Sequence, residues 1–497
     1  MKVFVLALSL LLTAFAFAEQ TREHDVNQPV NRVFGAGAGA SQLMPSDVLI
    51  AAGQHFPDIV KALAQREGAA GAVLSAQGAF DVVFNSKGFD RTRGYYDGAV
   101  LSGELRRPLQ SMGGELFASY SMSDGSFPIY EDQYYTNEAG AVKLGVLFSL
   151  LRDNAIDDRR YKVNDARLNL QQADLTVLLT RVGVQHSALK AYWRWVAAGQ
   201  KVQVYERLLS MAEARQIGLL TQVERGLTAD IYLVENKQNI TRRKTLLTIA
   251  KRDFQLASND LGFYYRGADG LPKVLDRKQL PAEIPAGDVA DEHYRAAFND
   301  PDHIARLMAT HPQLQWLERA IQRSEQALAL AENSALPDLD FSLAMMQPLG
   351  DIGLGGPSRD EPEAVVGFSF SVPLERRQAK GDIAQAKAKL SGLSADQRRM
   401  QDQLNIELQN ILQTLDAAEA VADLATLETG QLETLRAAEQ RRFEQGASDF
   451  FVVNMREEAL ANAEVRLADA LGQRQMALAN LAAAAIDTER LYLAATR

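Results

Sequence analysis

Cysteine is absent from all 497 residues. That excludes a disulfide framework, a catalytic thiolate and any lipid anchor on a cysteine behind a leader. A large core needs no such staples, and a chain that is 47% hydrophobic can build one. An excess of positive charge is missing too: the formal net charge is −10, which argues against a nucleic-acid partner. Beyond residue 20 no stretch is long and apolar enough for a transmembrane helix. The six histidines, His24, His55, His186, His293, His303 and His311, are scattered, and no HExxH occurs, so no metal or cofactor is expected. Gly35-Ala36-Gly37-Ala38-Gly39 has neither a strand before it nor a Lys-Ser/Thr after it. It reads as a flexible leader rather than a phosphate loop.

The N-terminus carries an address. Lys2 is followed by an apolar run over residues 3–15 and by Ala16-Phe17-Ala18 before Glu19. That is the pattern of a Sec-type signal peptide over residues 1–18, expected to be removed, with a leader over 19–45.

Beyond it lies an internal duplication. Setting Arg225-Gly226-Leu227-Thr228-Ala229-Asp230 on Gln445-Gly446-Ala447-Ser448-Asp449 without gaps also superposes Ala166 on Ala386, Leu170 on Leu390 and Leu247 on Leu467. Ala250 then falls on Ala470, Ala257 on Ala477 and Leu261 on Leu481. Upstream, His55-Phe56-Pro57-Asp58-Ile59 answers His311-Pro312-Gln313-Leu314, and both histidines are expected at a helix start. Each copy reads short helix, strands, very long helix, glycine tip, second helix. The first repeat covers 46–264, a linker 265–302, the second repeat 303–485 and a tail 486–497.

The helices show in the periodicity. Ile383, Ala386, Leu390, Leu393, Met400, Leu404, Leu408, Ile411, Leu415 and Ala418 recur mostly by threes and fours, a heptad-like stripe for side-by-side packing. No proline falls in 155–221 or 375–443, so each stretch is expected to form a helix of about 65 residues, roughly 100 Å long. Residues 230–262 and 303–335 predict helices of about half that length. Two short helices would then lie alongside each long one.

Strands are expected in two blocks, residues 80–151 and 338–374. Their alternation of polar and apolar residues suits a sheet wet on one face and lipid-covered on the other. Tyr95, Tyr96, Phe117, Tyr120, Phe127, Tyr130, Tyr134 and Tyr135 crowd the first block. They would be interfacial girdles in a barrel or cross-strand pairs in a soluble sheet.

A secreted chain with two copies of this pattern resembles the TolC-like outer-membrane efflux family. The resemblance spans about Ser46 to Ala485 and is strongest at Arg442-Phe443-Glu444-Gln445-Gly446-Ala447-Ser448-Asp449 and the alanine-rich helix that follows. It implies an α+β membrane protein: a homotrimeric transmembrane β-barrel continued by a long α-helical coiled-coil periplasmic tunnel, built from two tandem repeats. With four strands per subunit, three copies would close a twelve-stranded barrel in the outer membrane of a Gram-negative bacterium. The implied role is a passive exit duct for efflux or type I secretion, with no enzymatic step, served by a periplasmic adaptor and an inner-membrane transporter. Two departures stand out. The first repeat carries roughly 30 extra residues at about 88–140, which either add strands or form an extracellular hairpin. The acidic gate that the family places just after the second tip falls here on Val452 and Met455, with Asp230 and Asp449 the nearest acids.

Candidate sites follow from that alignment. Gly226-Leu227-Thr228 and Gly446-Ala447-Ser448 are either adaptor contacts or plain turns. Asp230 and Asp449 are helix N-caps, an acidic ring around the pore, or both. Tyr232 and Phe443 are constriction aromatics or interhelical packing. Trp193 and Trp195 read as packing residues. The alternative class is a periplasmic adaptor-type coiled-coil protein, which predicts one helical hairpin instead of two.

Overall fold

A computed structural model describes residues 42–285 and 289–493. The signal peptide, His24 and the Gly35–Gly39 run lie outside the described residues. Nine helices and six strands are described. The chain opens with α1 (Pro45–His55) and α2 (Pro57–Gln77), then β1 (Val83–Asp90), β2 (Ala99–Pro108), β3 (Glu115–Asp124) and β4 (Ala141–Ser149). Next come α3 (Asp158–Glu224), α4 (Ile231–Tyr264) and α5 (Val289–Ala297). The second half holds α6 (Pro301–Thr310), α7 (Pro312–Ser334), β5 (Asp338–Pro348), β6 (Glu363–Ser371), α8 (Arg377–Glu444) and α9 (Phe450–Ala484).

The long helices α3 and α8 run 67 and 68 residues, roughly 100 Å each at 1.5 Å per residue. Asp157 starts α3 by accepting the Arg160 amide at 2.8 Å. Shorter helices lie against each: α2 and α4 on α3, α7 and α9 on α8, with α3–α9 and α3–α7 contacts joining the halves. The first core is built where α1 and α2 meet the middle of α3. Trp195, Tyr192, Leu49 and Ile59 are fully buried there, Tyr192 donates to the Leu43 carbonyl at 2.8 Å, and Trp195 donates to Ser258 at 3.1 Å. Trp193 is buried beside them. Both tryptophans are packing residues.

Proline divides the shorter helices where the sequence reading expected continuity. The 303–335 segment is two helices, α6 and α7, broken at His311-Pro312, because proline has no amide to continue the ladder. His311 caps α7, its Nδ1 accepting from the Gln313 amide at 3.3 Å. His55 does not match it. His55 is the last residue of α1, and Phe56 holds the cap position of α2. The prolines are the equivalent positions, and the histidines are one residue out of register.

The strands form one antiparallel sheet in the order β1-β2-β3-β4-β5-β6, which leaves β1 and β6 as free edges among the described residues. Four strands come from the first half, not two. The extra residues at 88–140 contain the whole β2–β3 hairpin, which inserts between β1 and β4 and pairs with both. The four-strand count implied by the family resemblance is therefore replaced by six. The halves join through β4 and β5, with Val142 opposite Gln347 and Phe148 opposite Phe341.

The described parts of the linker and tail are packed against the helices. Leu280 and Ile284 are buried in the first core, and Gly199 on α3 is small because a Cβ there would lie 2.5 Å from Leu280. Leu491 and Leu493 are buried against Val182 and Ala482.

Candidate functional site

The two hairpin tips are built alike. α3 ends with Gly226 at φ +66°, its amide bonding the Val223 carbonyl at 2.8 Å and the Leu227 amide reaching Gln222 at 2.9 Å. α8 ends with Gly446 at φ +74°, with the same pair of bonds from Gly446 to Phe443 (3.0 Å) and from Ala447 to Arg442 (2.8 Å). Both are Schellman motifs, in which a left-handed glycine lets two later amides satisfy orphan carbonyls. Leu227 is 73% exposed, Ala447 is exposed, and Thr228 and Ser448 are half-buried. Ser448 donates to the buried Glu439 carboxylate, which also receives Arg442 at 3.4 Å. The second tip is thus tied back to its own helix by a polar knot.

The two aspartates differ. Asp449 is an N-cap: its carboxylate accepts the Phe451 and Val452 amides at 2.6 and 3.1 Å. Asp230 occupies the corresponding place with helical backbone, and its side chain makes no capping bond. The cap reading therefore holds for Asp449 and fails for Asp230, whose carboxylate stands exposed. Tyr232 packs edge-on to Phe450 with ring centroids 6.2 Å apart, which makes it a contact between the two hairpins. Phe443 and Val452 are half-buried, and Met455 is exposed.

Behind the tips lies a polar network that the sequence reading missed. Arg243 on α4 is fully buried, pairs with Glu457 on α9 at 3.1 Å, and donates to Asn454 and to the Leu208 carbonyl, both at 2.6 Å. Arg215 on α3 also binds Glu457, and its guanidinium lies 5.3 Å from the Phe450 ring centroid. Burial pushes the Arg243 pKa down, while the Glu457 carboxylate favours its charged form. A signal existed. The buried stripe of α4, followed back from Ala250 and Leu247, lands on Arg243, Asn239 and Asn236. Polar side chains occupy apolar heptad positions there.

At the other end, the sheet has two unlike faces. The register puts Phe84, Leu101, Leu105, Leu116, Ala118, Val142, Leu144, Val146, Leu343, Met345, Val366, Phe368 and Phe370 on one face. Phe368 is 81% exposed, Val366 64% and Met345 61%. The other face is mainly polar, with Asn85, Lys87, Ser102, Glu104, Ser119, Ser121, Lys143, Ser342, Gly367 and Ser369, and carries Val83, Phe89, Val100, Leu147, Met346 and Val365 among them. Phe117 lies on this polar face, filling the space that Gly145 leaves, so it is not a girdle residue. Tyr120 is on the apolar face. Tyr95, Tyr96, Phe127, Tyr130, Tyr134 and Tyr135 gather in the connections 91–98 and 125–140 at the end away from the helices, with Phe127 buried among them.

His186 lies 2.7 Å from Asn480 across α3 and α9, and His303 packs edge-on to Phe298. No described helix is long and apolar enough to cross a membrane.

No protein-family model matches this sequence. No curated protein matches it in sequence either. Solved structures do match the fold. The CmeC outer membrane channel of Campylobacter jejuni aligns over 89% of this chain and 85% of its own, with TM-score 0.58 and 11% identity. The outer membrane protein VceC of Vibrio cholerae gives TM-score 0.59 at 16% identity, covering 89% of this chain and 95% of that one. The open state of the MtrE outer membrane channel of Neisseria gonorrhoeae gives 0.58 at 14% identity, covering 94% and 96%. Two helical hairpins hung from one shared sheet are therefore the fold of outer-membrane channels, the fold that the TolC-like resemblance of the sequence implies.

Proposed function

We propose that this chain is the subunit of an outer-membrane exit duct, passively conducting substrate from an inner-membrane pump across the periplasm and outer membrane. The observation that carries the proposal is the sheet: one face exposed and apolar, the other mainly polar, on strands of 8 to 11 residues. Such strands are the length that crosses a bilayer when tilted. The free edges β1 and β6 cannot stay unpaired in hydrocarbon, so copies of the chain must complete the sheet. Three-fold cyclic closure is the arrangement the resemblance implies, with the long helices lining a tunnel below.

In this reading the tips, Gly226-Leu227-Thr228 and Gly446-Ala447-Ser448, meet a periplasmic adaptor. Asp230 and Asp449, repeated by symmetry, line the entrance with Tyr232, Phe443, Val452 and Met455 nearby. The inner-membrane transporter supplies the energy. A periplasmic adaptor role for the chain itself fits less well, because its second hairpin and exposed apolar sheet would have no partner. Negative-stain imaging of the detergent-extracted protein tests the proposal. Three-fold particles with a tube of roughly 100 Å beyond the detergent belt are expected. A monomer that stays soluble without detergent would overturn it.

A further inference from the structure

Resting on the channel reading above, we propose that three copies of the six-stranded sheet close an eighteen-stranded barrel. Its lumen would be a broad water-filled exit for bulky polar cargo, and size selection would fall to the helical tips.

The hairpin is built as barrel wall, not as an extracellular ornament. Its strands are ten residues each and pair along their full length, from Ala99 opposite Asp124 to Pro108 opposite Glu115. Both flanks are also paired, β2 to β1 and β3 to β4. The apolar face runs through it, interrupted within the hairpin only at Gly103, which lies opposite Ser86 of β1. Leu101, Leu105, Leu116, Ala118, Tyr120 and Met122 continue the row from Phe84 on β1 to Val142, Leu144 and Val146 on β4. Charged residues on that face of the hairpin sit only at its ends, Arg107 towards the helices and Asp124 towards the far loops. This is an apolar band bounded by charge, the pattern of a lipid-facing strand pair.

The opposite face of the hairpin carries Ser102, Ser119, Ser121 and Ser123, with Arg106 bound to Glu104 and, at 2.8 Å, to Glu115. Charges held this way suit water, and the serines leave the lumen open. The loops agree. The β2–β3 turn takes only residues 109–114 and seats against the helix side, where the Ser149 amide bonds Met112 at 3.3 Å. The connections 91–98, 125–140 and 349–362 at the opposite end are longer. Short periplasmic turns and long outer loops are the habit of outer-membrane barrels. Barrel diameter grows roughly linearly with strand number, so eighteen strands give about 1.5 times the width of twelve, in the range where barrels hold an aqueous channel.

The absence of cysteine makes the test direct. Single variants Leu105→Cys, Leu116→Cys, Ser102→Cys and Ser119→Cys, with Val366→Cys on β6 as reference, are spin-labelled in the full chain and reconstituted in liposomes. Labels at 105, 116 and 366 are expected to collide with dissolved oxygen and to be shielded from a water-soluble nickel chelate. Labels at 102 and 119 are expected to show the reverse. If the chelate reaches 105 and 116 while 366 stays shielded, the hairpin lies outside the bilayer; the eighteen-stranded barrel is overturned and the duct survives. If the chelate reaches 366 as well, the membrane reading itself fails, and this inference with it. Electron cryomicroscopy of the reconstituted protein, viewed down its axis, counts the strands independently: eighteen supports the proposal and twelve refutes it.

Discussion

A guanidinium with no exposure to water persists at Arg243 because three partners on two neighbouring helices surround it, Glu457 and Asn454 on α9 and the Leu208 carbonyl on α3, with Arg215 sharing Glu457. Losing the shared carboxylate leaves the buried guanidinium uncompensated. Glu457→Ala should therefore cost about 3–5 kcal/mol, whereas Arg243→Ala leaves Glu457 paired with Arg215 and should cost less. Denaturant unfolding of both variants checks the difference. His311 and His186 give a pH signature. Burial lowers both pKa values, so the unfolded chain binds their protons more readily. Stability should be complete above the ordinary histidine value of about 6.5 and fall as pH drops below it, and His311→Asn, which can still cap, should flatten that slope. At the tips, Gly446 has open space around the Cβ position and a φ of +74°. Gly446→Val should fray the tip through backbone strain alone, with Gly446→Asn milder, as read by hydrogen exchange of residues 440–450. Residue by residue, the glycines and the Asp449 cap were legible because turn chemistry is local. Arg243 was not, because its burial depends on which helix face meets which neighbour.

At the scale of elements, α3 and α8 have nearly the same length and unlike surroundings. Trp195, Tyr192 and Val196 are sealed in a core at the middle of α3, while Ile406, Val421, Leu424 and Leu427 on α8 are more than half exposed. The stripe read from the sequence on α8 is real: Leu404, Leu408 and Leu415 are buried along it. The sequence shows both stripes, but periodicity does not say which one its own chain covers. The long helices were legible because no proline interrupts them. The break at His311-Pro312 is written in the sequence as well, since proline has no amide to continue the ladder. The extra strands were hidden because two short hairpin strands read like a loop insertion until their register is known. On the sheet, Phe368→Arg should cost about 2–4 kcal/mol in lipid-reconstituted folding, while Ser369→Arg on the polar face should be tolerated. Equal penalties at the two sites would contradict the lipid-facing assignment.

At the scale of the whole molecule, the exposed α8 flank and the free edges β1 and β6 are surfaces that a second copy would cover. Leu424→Glu with Leu427→Glu should lower the assembled fraction in sedimentation equilibrium in detergent, while the helix content of the dissociated chain stays unchanged. A loss of helix content before dissociation would mean that these leucines serve the subunit's own fold.

The β4–β5 pairing also sets an order of events. Every other strand pair is closed by a hairpin connection, but Ser149 reaches Asp340 across a separation of 191 residues. Local pairs form early, and a contact that distant waits until the intervening helices have found their places. The sheet should thus exist for a time as a four-stranded piece and a two-stranded piece, each with raw edges, before it exists as one. A chain in that state is vulnerable to edge-to-edge aggregation, and its safety depends on how quickly α3 and α4 fold to bring the two pieces within reach.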